Sequence, residues 1–155
     1  TGKAMFAEAG ELGMPVGFMC FKGLLLHVDE IEELCSEFPS TKVILDHFGF
    51  CKGTEGEAWE RLLGLARFPQ VHVKLSAFFR VSDQDFPYED TFEQVEQFVS
   101  TFGANRLMWG SDFPFVTEQC GYVNAAKVLQ SAPISSDARE WIMGKTINEL
   151  FSGAW

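Results

Sequence analysis

The sequence predicts an α/β protein built on parallel strands, and three observations carry that prediction. Four short apolar runs recur along the 155 residues. Amphipathic segments of helical period lie between them. The connections are short, so each strand-then-helix step is a right-handed crossover that sets successive strands side by side in parallel. Two architectures satisfy this pattern: a doubly wound sheet of four strands, or four consecutive units of an eight-unit barrel. Periodicity does not choose between them.

The first strand is expected over residues 14–20, Met-Pro-Val-Gly-Phe-Met-Cys. Val28, Ile31, Leu34, Cys35 and Phe38 then recur at helical spacing until Pro39 closes the segment. The second strand covers residues 42–46 and ends at His47. After a glycine-containing loop comes a helix whose apolar side holds Trp59, Leu62, Leu63 and Ala66. The third strand covers residues 71–76. A polar loop over residues 81–90 precedes a helix over 91–102, with Phe92, Val95, Phe98, Val99 and Phe102 on one stripe and Gly103 as its C-cap. The fourth strand covers residues 106–109. Val123, Ala126 and Leu129 mark a further helix, and Asp137-Ala138-Arg139-Glu140 resembles a capping box opening a last helix that runs through Phe151.

Composition narrows the function. The chain is 46% hydrophobic, enough to bury a core, and its 12 basic against 22 acidic residues give a net charge of −10. No basic cluster offers itself to phosphates, which argues against nucleic acid and anionic membrane as partners. No apolar run approaches the roughly 18 residues a bilayer span needs. The opening Thr1-Gly2-Lys3-Ala4-Met5 has neither an initiator Met nor the apolar core of a signal peptide, so the chain reads as cut from something longer. Cys20, Cys35, Cys51 and Cys120 form no CxxC pair and are expected as buried or half-buried thiols in a reducing, cytoplasmic setting.

Chemistry in either architecture gathers at the carboxyl ends of the strands, where the loops converge. His47 closes the second strand in Leu45-Asp46-His47-Phe48-Gly49, and Asp112 closes the fourth in Trp109-Gly110-Ser111-Asp112-Phe113-Pro114. The third strand alternates Val71, Val73 and Leu75 with His72, Lys74 and Ser76. Three polar side chains on one face are unusual for a parallel sheet covered by helices. A lysine there must pair with a carboxylate or line a wet cavity. Each residue has a plainer reading: His47 as a ring satisfying loop backbone, Asp112 as a turn cap, Lys74 as a charge guarding an exposed edge. Their joint placement at strand mouths favours a functional site.

The sequence resembles the amidohydrolase-related family of metal-dependent hydrolases, which includes lactonases and nonoxidative decarboxylases. The likeness rests on Gly13-Met14-Pro15-Val16, Val43-Ile44-Leu45-Asp46-His47-Phe48-Gly49, Val73-Lys74-Leu75-Ser76, and above all Trp109-Gly110-Ser111-Asp112-Phe113-Pro114, which is similar to the family's eighth strand. Residues 142–151 look like its terminal helix. The resemblance implies that residues 1–155 form the C-terminal half of a (β/α)8 TIM barrel, strands five to eight with their helices. It also implies that Asp112 is the water-activating base and a metal ligand, that His47 contacts the substrate or polarises its carbonyl, and that Lys74, Ser76 and Ser111 line the substrate pocket.

The implied cofactor is a divalent metal such as zinc. Against it stand two departures: the family's first-strand His-x-His would lie upstream of Thr1, and its fifth-strand histidine is replaced by Phe18-Met19-Cys20-Phe21. The expected activity is therefore water attack on a small lactone, amide-like or carboxylated substrate. Decarboxylation on the same scaffold, or a non-catalytic assembly module, are the alternatives. Open sheet edges would allow a homo-oligomer.

Overall fold

The computed structural model describes residues 2–152. Four strands form its single sheet: β1 (Val16–Phe18), β2 (Val43–Leu45), β3 (Val71–Ser76) and β4 (Leu107–Gly110). Their order is β1-β2-β3-β4 and every pairing is parallel, with Val16 opposite Val43, Val43 opposite Val71, and Val73 opposite Leu107. This order decides between the two architectures, because a doubly wound sheet reverses direction at a switch point and a barrel adds each strand beside the last. The chain is a partial (β/α)8 barrel.

Helix α1 (Gly2–Glu11) precedes the sheet, and α2 (Val28–Glu37), α3 (Gly56–Gly64) and α5 (Phe92–Phe102) are the main crossovers, with the short α4 (Phe78–Val81) at the end of β3. Val28, Ile31, Leu34 and Cys35 of α2, Trp59 and Leu62 of α3, and Val95, Phe98 and Phe102 of α5 are buried. They pack on Val43, Leu45, Val71, Val73, Leu75 and Leu107. Phe98 is the hub, edge-on to Trp59 at 5.0 Å and to Phe48 at 5.7 Å. Side chains alternate across each strand. The other sheet face therefore carries Gly17, Ile44, Asp46, His72, Lys74, Ser76, Met108 and Gly110.

Several elements differ from the sequence expectation. β1 is only three residues long, and Arg106 belongs to a 3-10 turn before β4. The helix expected around Val123, Ala126 and Leu129 is two short pieces, α6 (Tyr122–Ala125) and α7 (Val128–Ser131), with Val123 facing solvent and Ala125 and Val128 facing the core. Asp137 does not open the last helical segment. Ser135 does, its hydroxyl accepting from the Ala138 N–H at 3.1 Å, so α8 (Ser136–Glu140) starts earlier. A π-helical turn over Trp141–Lys145 then joins α8 to α9 (Thr146–Leu150). Gly103 caps α5 as expected, at φ 82°.

Candidate active site

The carboxyl end of the sheet is built from left-handed turns. His47 (φ 52°), Ala77 (φ 53°) and Asp112 (φ 59°) each follow a strand within two residues. Phe48, Gly49 and Phe50 continue the left-handed run after β2, at φ 57°, 64° and 57°. A left-handed non-glycine residue costs on the order of 1–3 kcal/mol and survives only where its surroundings enforce it. Buried Phe48, edge-on to Phe78 at 4.9 Å, anchors the β2 turn. Gly49 must lack a side chain, because a Cβ there would meet Leu62 Cδ1 at 2.9 Å. These turns direct side chains back across the strand ends instead of out along the loops.

The result is a chain of contacts over three strands. Ser76 Oγ lies 2.7 Å from His47 Nδ1, and His47 Nε2 lies 3.4 Å from Asp112 Oδ1. Arg80 Nε–H donates to Asp112 Oδ2 at 3.0 Å. Beside this chain Lys74 pairs with Asp46. The alternation in β3 thus resolves as expected, with the lysine held by a carboxylate and Ser76 fully buried against the imidazole. Gly110 makes room for it, since a Cβ there would meet Lys74 Cδ at 3.0 Å and Ser76 Cβ at 3.1 Å. A neutral His47 facing a carboxylate carries its proton on Nε2, which leaves Nδ1 to accept from the Ser76 hydroxyl.

Burial pushes the His47 imidazole below its ordinary value, opposed by the nearby Asp112 and Asp46 carboxylates. Burial lowers His72 in the same way, although its Nδ1 lies 3.0 Å from the Gln70 carbonyl. Both shifts have one sign, so the unfolded chain binds protons more readily than the folded one. Stability is then full above the ordinary histidine value of 6.5 and declines as pH falls below it. The melting midpoint is expected to drop between pH 7.5 and pH 5.5, and His72→Gln to shallow that drop. A midpoint that rises on acidification would contradict it.

Among the described residues no three His, Cys, Asp or Glu side chains converge as a metal-binding group. Asp112 pairs with Arg80 through Oδ2, and its Oδ1 faces His47 Nε2 at 3.4 Å. Cys20 and Cys51 are buried, and burial pushes their thiols up to about 11 and about 12. The described residues do not by themselves fit a divalent cation.

Of the residues expected at the site, His47, Ser76 and Asp112 meet in one contact chain and Lys74 lies beside it. Ser111 does not join it. Its hydroxyl accepts from the Phe113 N–H at 3.2 Å, in the turn after β4. Arg80 and Asp46 were not singled out by the sequence. Asp46 could have been found, because it shares a sheet face with Ile44 and sits one residue before His47. Nothing in Ala77-Phe78-Phe79-Arg80 announces the left-handed turn at Ala77 that brings Arg80 to Asp112.

Four sequential parallel strands carry a histidine, two carboxylates and two cations over their carboxyl ends, the end at which a TIM-barrel fold gathers its loops. The chain belongs to the amidohydrolase family, whose model matches residues 3–152. It is 33% identical over 91 residues to a 4-sulfomuconolactone hydrolase of Rhizobium radiobacter, an alignment covering 56% of this chain and 30% of that protein. It is likewise 33% identical over 95 residues to an L-fucono-1,5-lactonase of Burkholderia ambifaria, covering 57% and 31%. In structure it is similar to an amidohydrolase of Burkholderia multivorans with bound HEPES, at TM-score 0.80 and 20% identity, over 97% of this chain and 57% of that one. A second crystal form of that amidohydrolase contains zinc. The chain thus spans little more than half of that barrel, and its aligned part less than a third of either lactonase.

Proposed function

We propose that this chain carries the base and the carbonyl-polarising group of a hydrolase that opens small carboxylated lactones. The observation that supports this best is the approach of His47 Nε2 to Asp112 Oδ1 at 3.4 Å from positions 65 residues apart. That separation is too long for a committed N–H···O bond, so a substrate oxygen can take the Nε2 proton's direction instead. Asp112, paired with Arg80 Nε at 3.0 Å, accepts a proton from water as the water oxygen attacks the lactone carbonyl carbon. Negative charge gathers on the carbonyl oxygen, where the His47 N–H donates. The ring C–O bond then breaks, and the leaving oxygen takes back the proton from Asp112. Arg80 is engaged by Asp112 through Nε alone, and its terminal nitrogens offer a fork to an anionic substrate group.

The test is acid release from a panel of γ- and δ-lactones, with and without a carboxylate, by the intact protein that carries this chain. The carboxylated members are expected to be opened with kcat/KM at least about tenfold above their neutral analogues, the usual worth of one charge-assisted hydrogen bond. A protein that opens none of them, or prefers the neutral ones, would sink this reading.

A further inference from the structure

The Ser76 hydroxyl meets the His47 ring at the carboxyl end of β3, and its burial fixes which way its proton points. Ser76 is 0% exposed, and among the described residues its hydroxyl has one hydrogen-bond partner, His47 Nδ1 at 2.7 Å. A hydroxyl has one proton to donate, and a buried donor without an acceptor is costly. Were Ser76 to accept from an Nδ1–H, its own proton would find no acceptor. The hydroxyl therefore donates, and Nδ1 accepts. The ring proton is left on Nε2, the nitrogen that faces Asp112 Oδ1 at 3.4 Å. The surroundings leave this contact little freedom. Phe50 stands edge-on to the His47 ring at 5.1 Å, and Gly110 lies so close that a Cβ there would meet Ser76 Cβ at 3.1 Å.

We propose that Ser76 is a positioning residue that keeps His47 a hydrogen-bond donor to the reacting carbonyl throughout the reaction and bars it from acting as the base. The inference rests on the lactone-hydrolase reading and adds a residue to it. Asp112 cannot hold the ring proton on Nε2 by itself, because its negative charge is gone once it has taken a proton from water. The protonated acid then turns its O–H to the leaving oxygen and presents no donor to Nε2, so the Ser76 bond suffices to keep the tautomer. A histidine that works as a base needs the reverse arrangement, with Nδ1–H donating to a carboxylate and Nε2 bare. Donation to Nδ1 also draws electron density through the ring and strengthens Nε2–H as a donor when negative charge gathers on the carbonyl oxygen. Ser76 keeps its own proton at every stage and acts only through His47.

The experiment joins heteronuclear NMR of the intact protein, labelled in its histidine rings, to steady-state kinetics of Ser76→Ala. The His47 signals are those missing from the spectrum of His47→Asn. Near neutral pH the wild-type Nδ1 is expected to show the shift of a bare nitrogen that accepts a hydrogen bond, and Nε2 that of a protonated one. In Ser76→Ala the Nδ1 signal should move to that of a bare nitrogen without a partner. On the best carboxylated lactone, kcat of this variant is expected to fall on the order of tenfold while KM changes by less than about twofold, since the weakened donor matters most in the transition state. A wild-type Nδ1 that carries the proton overturns the proposal. So does a Ser76→Ala protein that melts earlier but turns over at the wild-type rate, because Ser76 would then serve packing only. If the spectra read as stated and no lactone is opened, Ser76 stands as the residue that places the His47 proton and the lactone reading falls.

Discussion

Asp112→Asn is expected to lower kcat/KM for lactone opening by at least about a hundredfold, with little change in melting midpoint. The asparagine is nearly isosteric and is one of the few residues at ease in the left-handed conformation that position 112 adopts, at φ 59°. Its amide oxygen can still accept from Arg80. The amide NH2 then faces His47, and it can neither accept a proton from water nor sit comfortably opposite the Nε2 proton. The imidazole answers by moving its proton to Nδ1, toward Ser76. One substitution thus removes the base and turns the polarising group from donor to acceptor. Steady-state rates on the best carboxylated lactone, with a melting curve of each protein, check both parts. A variant that keeps the wild-type rate would remove Asp112 from the mechanism.

His47→Ala is expected to cost at least about a hundredfold in kcat/KM as well, for a different reason. The donor to the developing oxyanion is lost, while Asp112 and Arg80 keep their contact. Alanine also leaves the buried Ser76 hydroxyl without its partner and the Phe50 ring without its edge-on neighbour. Some loss of stability should therefore accompany the loss of rate. His47→Asn separates the two, since asparagine accepts the left-handed backbone at position 47 and restores a polar group near Ser76. The rate should stay low in His47→Asn while the melting midpoint recovers toward wild type. Recovery of the rate together with the midpoint would assign His47 a packing role only.

The sequence made the strand ends legible because apolar runs give out there. Val43-Ile44-Leu45 and Leu107-Met108 could only be buried strands, and the polar residues just after them had to lie at the rim. The convergence of His47 and Asp112 followed from parallel order alone. The polar face of β3 was equally readable, because period-two alternation is a property of the backbone. What stayed hidden depended on turn geometry. Arg80 reaches Asp112 because Ala77 turns left-handed, and alanine gives no signal for that. Ser111, which the family resemblance implied as a pocket residue, lies outside the contact chain and accepts from the Phe113 N–H. The last helical segment was placed two residues late because Asp137 and Glu140 have capping-box spacing, whereas Ser135 makes the cap bond and Glu140 pairs with Lys145. Helix α1 has neither an acidic first turn nor a basic last turn, and its short polar and alanine-rich stretch went unread.

Backbone tension at positions 47, 50 and 112 sets the firmness of this protein against its chemistry. Each would be relaxed by glycine, yet positions 47 and 112 carry the side chains the proposed reaction uses and Phe50 packs edge-on to His47. A library released from selection for turnover should therefore admit asparagine at positions 47 and 112 and fall silent while its melting midpoint stays near wild type. Selection for turnover should hold histidine and aspartate there, strained backbone included.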